Sequence, residues 1–275
     1  MLGLLLLQVL TSCLWLGHSE VVKSFANCSV FFYEGTTPND VLNPRNPAWI
    51  CQHYANSYHF ATLYDREKRI PVYSAYIYGP GPGNTSESYF VEPQLINSIY
   101  NNSMTTEDSI RNQYKIVPQQ VGQSQAINQD YTNLQGLDHG HLSPKAHQGG
   151  NNRKWATFTL TNIVPMASTL NKGAWQDYEN QTMDQKTQGC TTTYVITGAV
   201  PGNTYVSNGR VNVPSHIWSG ACCLVGTQPK AAWGAMAENN KNKVELLKLG
   251  KLEGKLTKLY GGRTVTLFNN ACPRK

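Results

Sequence analysis

Three side chains near the middle of the chain have the chemistry to carry out one reaction together. His141 ends the segment Leu-Asp-His-Gly-His at residues 137–141. Its imidazole can act as a general base because an ordinary pKa of about 6.5 leaves it largely neutral at pH 7. Asn171 offers a neutral oxygen that suits a hard cation, and Glu179 offers a carboxylate. A base, a cation ligand and a carboxylate together favour metal-dependent hydrolysis of a phosphodiester.

The spacing of Asn171 and Glu179 limits how they can share an ion. On one regular helix, eight residues place them about 80° apart around the axis and roughly 12 Å apart along it. Direct coordination of one ion by both is then disfavoured. We expect Asn171 to bind the ion directly and Glu179 to act through metal-bound water.

Patterns of apolar and polar residues predict the elements that position these side chains. Alternation predicts a β-hairpin with strands at 60–64 and 70–78, and a half-buried strand at 155–163. A helix is predicted at 171–182, with Thr169 as its N-cap, and His141 is placed at the end of a strand. The remaining predicted elements are strands at 191–197, 210–213 and 263–268 and a basic amphipathic helix within 241–260.

The central block also resembles the DNA/RNA non-specific endonuclease family, which carries the ββα-metal, or His-Me finger, site. Three groups of residues match the family pattern. They are Asp138, Gly140 and His141; then Thr161, Asn162, Ile163 and Pro165; then Leu170, Asn171, Gly173, Trp175 and Glu179. The resemblance implies an α+β fold with a central, mostly antiparallel sheet. It also implies an endonuclease that hydrolyses internal phosphodiester bonds of DNA and RNA and leaves 5′-phosphate ends.

The resemblance implies a role for each matching residue. His141 is expected to be the general base, and Asn171 the ligand of Mg²⁺, with Mn²⁺ or Ca²⁺ as alternatives. Glu179 is expected to act on metal-bound water, and Asn162 to hold the histidine in place. Arg69, which precedes the second hairpin strand, is expected to steady the pentacovalent phosphate.

Two departures from the family pattern bear on activity. His139 stands where the family usually has arginine, and Met166 where it usually has glutamine. An imidazole replaces a guanidinium as a cation only when it is protonated. The alternative function is therefore a catalytically weakened nuclease fold that acts as a secreted nucleic-acid-binding or host-defence interaction protein.

A zinc site is a further alternative for the histidines. His139, His141 and His147 have the spacing His-x-His-x5-His, and three histidines can hold a zinc ion that activates water. This arrangement leaves Asn171 and Glu179 without a role.

The first residues indicate an exported protein. Residues 1–19 have the apolar core and small terminal residues of a signal peptide, so residues 20–275 are expected to form one endonuclease domain. No later segment is apolar enough to span a membrane. Six cysteines lie beyond the leader, and an even number in an exported chain favours disulfides, with fifteen pairings possible. Adjacent Cys222 and Cys223 are expected to reach different partners. The acceptor triplets for N-glycans begin at Asn27, Asn84, Asn101 and Asn180.

The net charge points to a polyanionic partner. The chain carries a formal charge of +6 at pH 7, and none of it lies in the leader. A basic protein gains affinity for a phosphate backbone by releasing condensed counterions, and this gain is independent of base sequence. We therefore expect DNA or RNA to be bound through its backbone. The sequence does not predict the oligomeric state.

Overall fold

A large antiparallel sheet forms the centre of the molecule. The computed structural model describes residues 20–275, and the predicted leader lies outside the described residues. Twelve strands are present in this part of the chain. They are β1 (Val21–Val22), β2 (Pro47–Tyr54), β3 (Ser57–Asp65), β4 (Ile70–Ile77), β5 (Leu137–His141), β6 (Ile163–Ala167), β7 (Thr192–Val200), β8 (Thr204–Val206), β9 (Val211–Val213), β10 (His216–Val225), β11 (Gln228–Glu238) and β12 (Glu245–Lys248).

Eight strands make the main sheet in the order β1-β2-β3-β4-β7-β10-β11-β12, with antiparallel neighbours throughout. The predicted hairpin is confirmed as β3 and β4, in which Asp65 pairs with Ile70. Two small antiparallel sheets, β5-β6 and β8-β9, complete the β-structure. The expected α+β class with a central antiparallel sheet is therefore confirmed.

The helices are short and lie mainly in the connections. They are α1 (Pro93–Ile96), α2 (Glu107–Tyr114), α3 (Pro118–Val121), α4 (Asn151–Ala156), α5 (Ser168–Asn171), α6 (Ala174–Asp177), α7 (Met183–Lys186) and α8 (Leu249–Leu259). A π-helical turn, Tyr178–Thr182, joins α6 to α7. None of the helices in residues 20–275 is long and apolar enough to cross a membrane.

Each face of the main sheet buries a separate core. Neighbouring side chains along a strand point to opposite faces, so Val195 packs in one core and Ile196 in the other. The first core lies beneath the β5-β6 sheet and its helices, and the second beneath α8. Helix α8 buries Leu249, Leu252 and Leu256 against the sheet, which is the apolar face that the leucine spacing indicates.

The same alternation explains the disulfides. Cys222 and Cys223 follow each other on β10 and point to opposite faces, and each has its own partner. The pairs are Cys28–Cys51, Cys190–Cys223 and Cys222–Cys272. The prediction that the adjacent cysteines reach different partners is confirmed.

The prediction of a strand at 155–163 is wrong. Residues up to Ala156 belong to α4, and Leu160–Asn162 form a 3-10 turn before β6 begins at Ile163. Both Thr159 and Thr161 are buried and donate hydrogen bonds to Oε1 of Glu92, so the threonines do not form an exposed strand face. The alternation of residue types here reflects a buried hydrogen-bond network.

Two predictions near the C-terminus also need correction. The helix expected within 241–260 covers only Leu249–Leu259, because Glu245–Lys248 pairs with β11 as an edge strand. Residues 263–268 form no strand. Their backbone is held instead by side chains, since Thr257 accepts from the Val265 N–H and Glu253 from the Leu267 N–H.

Candidate active site

A cleft of about 530 Å³ opens beside the β5-β6 sheet. His141, Asn171 and Glu179 all line it, so the structure brings together the three side chains selected from the sequence. The other lining residues are Glu87, Tyr89, Asp138, His139, Pro144, Lys145, Ala146, Phe158, Lys172, Gln176 and Asn180. The strand pair β5-β6 supplies the histidine, and the helical segment that follows supplies the amide and the carboxylate.

His141 is the last residue of β5 and pairs with Ile163 of β6. Its Nδ1 lies 3.3 Å from the carbonyl oxygen of His139, which can only accept, so Nδ1 carries the proton in this contact. The buried Nε2 has no hydrogen-bond partner among the described residues. Burial lowers the pKa of His141 to about 4, so the ring is neutral at pH 7. In the neutral ring, Nε2 is then the unprotonated nitrogen.

The glycine before His141 is required by close packing. Gly140 lies opposite Val164 and against Met166, and a side chain at 140 would overlap the Met166 side chain. Met166 is fully buried in the core, so the departure from glutamine at this position places an apolar side chain away from the cleft.

Asn162 is buried behind the histidine strand and does not line the cleft. Its Oδ1 accepts from Ser74 Oγ at 2.8 Å and from the Ser143 N–H at 2.9 Å. Its Nδ2 donates to the carbonyls of Ser143 and Thr157. These four bonds fasten the turn after His141 to the main sheet. Asn162 therefore holds the backbone of the loop that follows the histidine, and none of these four bonds is made to His141 itself.

Asn171 is the last residue of α5, and Asp138 holds its amide. The Asn171 Nδ2 points at Asp138 Oδ2 at 3.5 Å, while Ser168 Oγ donates to Asp138 Oδ1 at 2.8 Å. Lys172 completes the set with an ion pair of 2.9 Å. Burial opposes ionisation of Asp138, but the hydrogen bonds from Lys172, Ser168 and Asn171 outweigh it and lower its pKa. Because the amide nitrogen faces Asp138, the Asn171 oxygen is the atom left for a ligand.

The predicted single helix at 171–182 is wrong, so the offset between Asn171 and Glu179 that assumes one regular helix does not apply. The chain breaks at Gly173, where a side chain would collide with the Thr169 carbonyl and with Asn242. Asn242 accepts from the Ala174 N–H at 2.7 Å and so begins the second helix, a role that the sequence had suggested for Thr169. Glu179 then lies in the π-helical turn. Such turns occur frequently at functional sites.

Glu179 faces the cleft as a carboxyl group that is hard to ionise. Burial raises its pKa to about 8, and the nearby Trp175 side chain lowers it only in part. A carboxyl with this pKa is mostly protonated at pH 7 in the absence of a cation. A divalent cation in the cleft would favour the ionised form.

His147 positions Glu179 through the backbone. Its Nε2 lies 2.7 Å from the Glu179 carbonyl oxygen and its Nδ1 lies 2.9 Å from the Tyr76 hydroxyl. Burial lowers the pKa of His147 to about 4. Both ring nitrogens are therefore occupied in a neutral, buried ring. The alternative zinc site of His139, His141 and His147 is wrong for this reason.

The residues in the cleft fit one hard cation with few protein ligands. No group of three or more His, Cys, Asp or Glu side chains in residues 20–275 is placed to hold a metal ion. Asn171 offers one neutral oxygen, and a magnesium ion keeps most of its water shell when few protein ligands bind it. His141, whose buried Nε2 has no hydrogen-bond partner among the described residues, and Glu179 line the same cleft, so both side chains would lie near the water of such an ion.

His139 lies at the edge of the cleft between two tyrosine rings. The ring centroid of Tyr89 is 4.4 Å away and that of Tyr131 is 4.9 Å away, both stacked. Burial lowers the pKa of His139, while Glu87 and Asp138 raise it in part. His139 is therefore neutral at pH 7 and adds no positive charge to the cleft.

Arg69 is not brought to the cleft. It lies in the turn between β3 and β4, with a φ of 54°. Its Nε donates to the Gly122 carbonyl at 3.1 Å and one terminal nitrogen donates to the Arg210 carbonyl at 3.2 Å. Its guanidinium is held at a separate surface depression. The expected role of Arg69 at the scissile phosphate is therefore not supported by its position.

Sequence reasoning missed several residues of the cleft wall. Glu87 and Tyr89 come from the loop before α1, and Lys145 and Phe158 from the connections around α4. Glu87 and Tyr89 lie in a polar stretch without periodicity, so no local signal marks them. Lys172 directly follows Asn171, and this neighbouring position is the one sequence feature that could have predicted Lys172 as part of the cleft wall.

A profile of the DNA/RNA non-specific endonuclease family matches residues 37–259. The chain belongs to this family. The matched range includes the whole cleft wall. The resemblance drawn from the central motifs is thereby confirmed.

Two curated relatives carry the name endonuclease domain-containing 1 protein. The protein from Homo sapiens is 34% identical over 220 residues, which cover 78% of this chain and 41% of the relative. The protein from Mus musculus is 32% identical over 222 residues, which cover 76% of this chain and 40% of the relative. The chain thus spans about two-fifths of the length of these relatives.

A solved structure supports the fold. A chain in the crystal structure of the EndoG/EndoGI complex has a TM-score of 0.50 and 17% sequence identity. The match covers 75% of this chain and 82% of that chain. It agrees with a ββα-metal nuclease fold built around a large antiparallel sheet.

Proposed function

We propose that this chain is a metal-dependent endonuclease that hydrolyses internal phosphodiester bonds of DNA and RNA. The observation that carries the proposal is the unpartnered Nε2 of His141 in a cleft that Asn171 and Glu179 also line. Membership of the endonuclease family supports the same activity.

His141 is the general base in this proposal. Its Nδ1–H stays on the His139 carbonyl, and Nε2 takes a proton from water as the water oxygen attacks phosphorus. The bond from phosphorus to the 3′ oxygen breaks, which leaves a 5′-phosphate. A pKa of about 4 in the free protein keeps Nε2 available over the whole neutral range. The negative phosphate raises this pKa when substrate binds, since an opposite charge favours the imidazolium.

Asn171 and Glu179 are the residues that would hold and tune the cation. Asn171 would bind Mg²⁺, or alternatively Mn²⁺ or Ca²⁺, through its side-chain oxygen. The cation would supply positive charge for the non-bridging and leaving oxygens. Glu179 would ionise beside it and accept hydrogen bonds from its water. Asp138 positions the Asn171 amide, and Asn162 positions the turn after His141.

Little base preference is expected. The cleft presents charged and polar side chains to a backbone, and phosphate contacts carry no sequence information. The net charge of +6 supports attraction to polyanions.

We also propose that the protein is secreted. Three disulfides are typical of an oxidising compartment, and the signal-peptide pattern at residues 1–19 supports export.

The second candidate is a weakened nuclease fold that binds nucleic acid as an interaction protein. Two observations favour it. His139 is neutral at pH 7, and Glu87 adds an exposed carboxylate to the cleft wall.

Plasmid nicking separates the two candidates. The wild type should nick supercoiled DNA with Mg²⁺ and stop when EDTA is added. His141→Ala should lose at least about a hundredfold in rate, the usual contribution of a general base. Asn171→Ala should lose the Mg²⁺-dependent nicking, because the ligand of the cation is removed. His216→Ala is a matched control, because this histidine lies outside the cleft. Binding of DNA without Mg²⁺-dependent nicking would favour the interaction protein.

A further inference from the structure

Three arginines lie together at one end of the main sheet, away from the cleft wall. Arg45 precedes β2, Arg66 follows β3 and Arg69 precedes β4; we call these three the arginine cluster. They line a surface depression of about 550 Å³, together with Asn46, Glu67 and Gln123. The strand pairing brings them together, since the Arg66 N–H donates to the Asn46 carbonyl at 3.0 Å.

The charges of the arginine cluster are not neutralised locally. None of the three arginines forms a salt bridge within the part of the chain that the structure describes. Neighbouring cations do, because Lys68 pairs with Asp65 and Arg210 with Asp130. Glu67 is the one carboxylate that lines the depression, and its side chain is exposed. The depression therefore holds an excess of positive charge.

Two arginines in the cluster also show features of a prepared anion site. The guanidinium of Arg69 is held by three backbone carbonyls, those of Glu67, Gly122 and Arg210, which orient it without cancelling its charge. The Nε of Arg66 is buried and lacks a hydrogen-bond partner among the described residues. A buried donor without a partner is costly, so Arg66 would gain from a rearrangement of its side chain that brings Nε to an anion oxygen in the depression. Guanidinium groups bind phosphate oxygens in bidentate geometry.

The cleft itself lacks the charge to hold a long polyanion. Among the described residues, its wall contains no arginine. Lys172 is paired with Asp138, and the wall has one further lysine, Lys145, and one further exposed carboxylate, Glu87, whose formal charges cancel. A strand that is cut in the cleft must therefore gain much of its electrostatic affinity elsewhere on the surface.

We propose that the arginine cluster is an auxiliary binding site for the backbone phosphates of a nucleic-acid strand that is cut in the cleft. This inference rests on the proposed function and adds a second contact region to it. The cluster contributes affinity for long strands and takes no part in the chemical step. A substrate too short to reach both regions gains nothing from it.

Binding without cleavage tests the cluster directly. Fluorescence anisotropy in EDTA would measure the affinity of labelled single strands up to about 30 nucleotides long over a range of salt concentrations. Arg45→Ala/Arg66→Ala should weaken binding of the long strand about three- to tenfold, and should reduce the slope of log affinity against log salt by about one to two. Glu67→Gln should tighten binding about twofold, an effect that misfolding cannot produce. Arg263→Ala, at an exposed arginine outside the depression, is the matched control.

Cleavage of a dinucleotide provides the second readout. Arg45→Ala/Arg66→Ala should cleave it at the wild-type rate while the KM for a long strand rises several-fold. Wild-type affinity and salt slope in the double variant, or losses equal to those of Arg263→Ala, would overturn the proposal. The proposal would also be overturned if tight binding of heparin depended on Arg66 while binding of nucleic acid did not depend on it. A wild type that cleaves neither substrate contradicts the proposed function, whereas the binding arm still tests the cluster.

Discussion

Asp138 holds the side chain of Asn171, the proposed ligand of the cation, in place. It accepts hydrogen bonds from Ser168 and Asn171 and pairs with Lys172. Asp138→Asn keeps the size of the side chain and an oxygen for Ser168. It places a second amide nitrogen opposite the Asn171 Nδ2, and two donors cannot bond each other. The Asn171 amide is then free to turn, and its oxygen is no longer held towards the cleft.

The size of the effect follows from the contact that is lost. A hydrogen bond to a charged group contributes about 1.5–3 kcal/mol, and the separation of 3.5 Å between Asn171 and Asp138 favours the lower end. About 1.4 kcal/mol corresponds to a tenfold change in affinity. Loss of a partner that orients a metal ligand typically costs 10–100-fold in metal affinity. We therefore predict that Asp138→Asn raises the Mg²⁺ concentration for half-maximal cleavage at least about tenfold.

A Mg²⁺ titration of plasmid nicking, read at saturating DNA, measures this concentration. Maximal rate at saturating Mg²⁺ should stay within about threefold of the wild type, because His141 is untouched. Lys172→Met is the control: its side chain is 71% exposed, so loss of its ion pair should shift the midpoint less than about fivefold. An unchanged midpoint in Asp138→Asn, or a rate loss that added Mg²⁺ does not restore, would show that Asp138 does not orient the Asn171 amide for a cation.

Three further predictions concern protonation. Glu179 has a folded pKa of about 8, above its ordinary value, so its contribution to stability is lost as pH rises through about 8. In EDTA at pH 9, calorimetry should therefore show a higher melting temperature for Glu179→Gln than for the wild type. The same variant should fail to nick DNA with Mg²⁺. His147 has a folded pKa of about 4, below its ordinary value, so the stability it contributes above about pH 6.5 is lost as pH falls towards 4. Over this pH range the Tm of His147→Gln should fall less than the Tm of the wild type. Parallel curves of Tm against pH for the two proteins would contradict this. His139→Arg should nick DNA faster than the wild type at pH 8, because a guanidinium keeps its charge where His139 is neutral. Equal rates would show that a positive charge at residue 139 does not assist cleavage.

The local sequence pattern was sufficient to predict the structure where the alternation of side chains matches the pairing of the strands. The β3-β4 hairpin has a charged turn between two apolar runs, and the alternation on β10 separates Cys222 from Cys223. His141 at the end of β5 was also predictable, since the strand is short and its histidine follows a glycine. In these cases the information lies within a few neighbouring residues.

Long-range contacts account for the errors. The second helix begins through Asn242, which is 68 residues from Ala174, and no local motif marks that bond. Thr159 and Thr161 have strand-like spacing but serve the buried Glu92. Arg69 matched a family position, yet carbonyls from distant loops hold its guanidinium away from the cleft. Each outcome depends on partners that the fold alone brings together.

The most direct test of the central claim is to locate the cation. A crystal of the protein with Mn²⁺, which gives an anomalous signal, would show whether an ion binds in the cleft. We predict a peak next to the side-chain oxygen of Asn171, in the cleft that His141 and Glu179 also line. Asn171→Ala should abolish the peak. A cleft without manganese in the wild-type crystal, or an ion held by other residues with Asn171 turned away, would show that Asn171 is not the cation ligand.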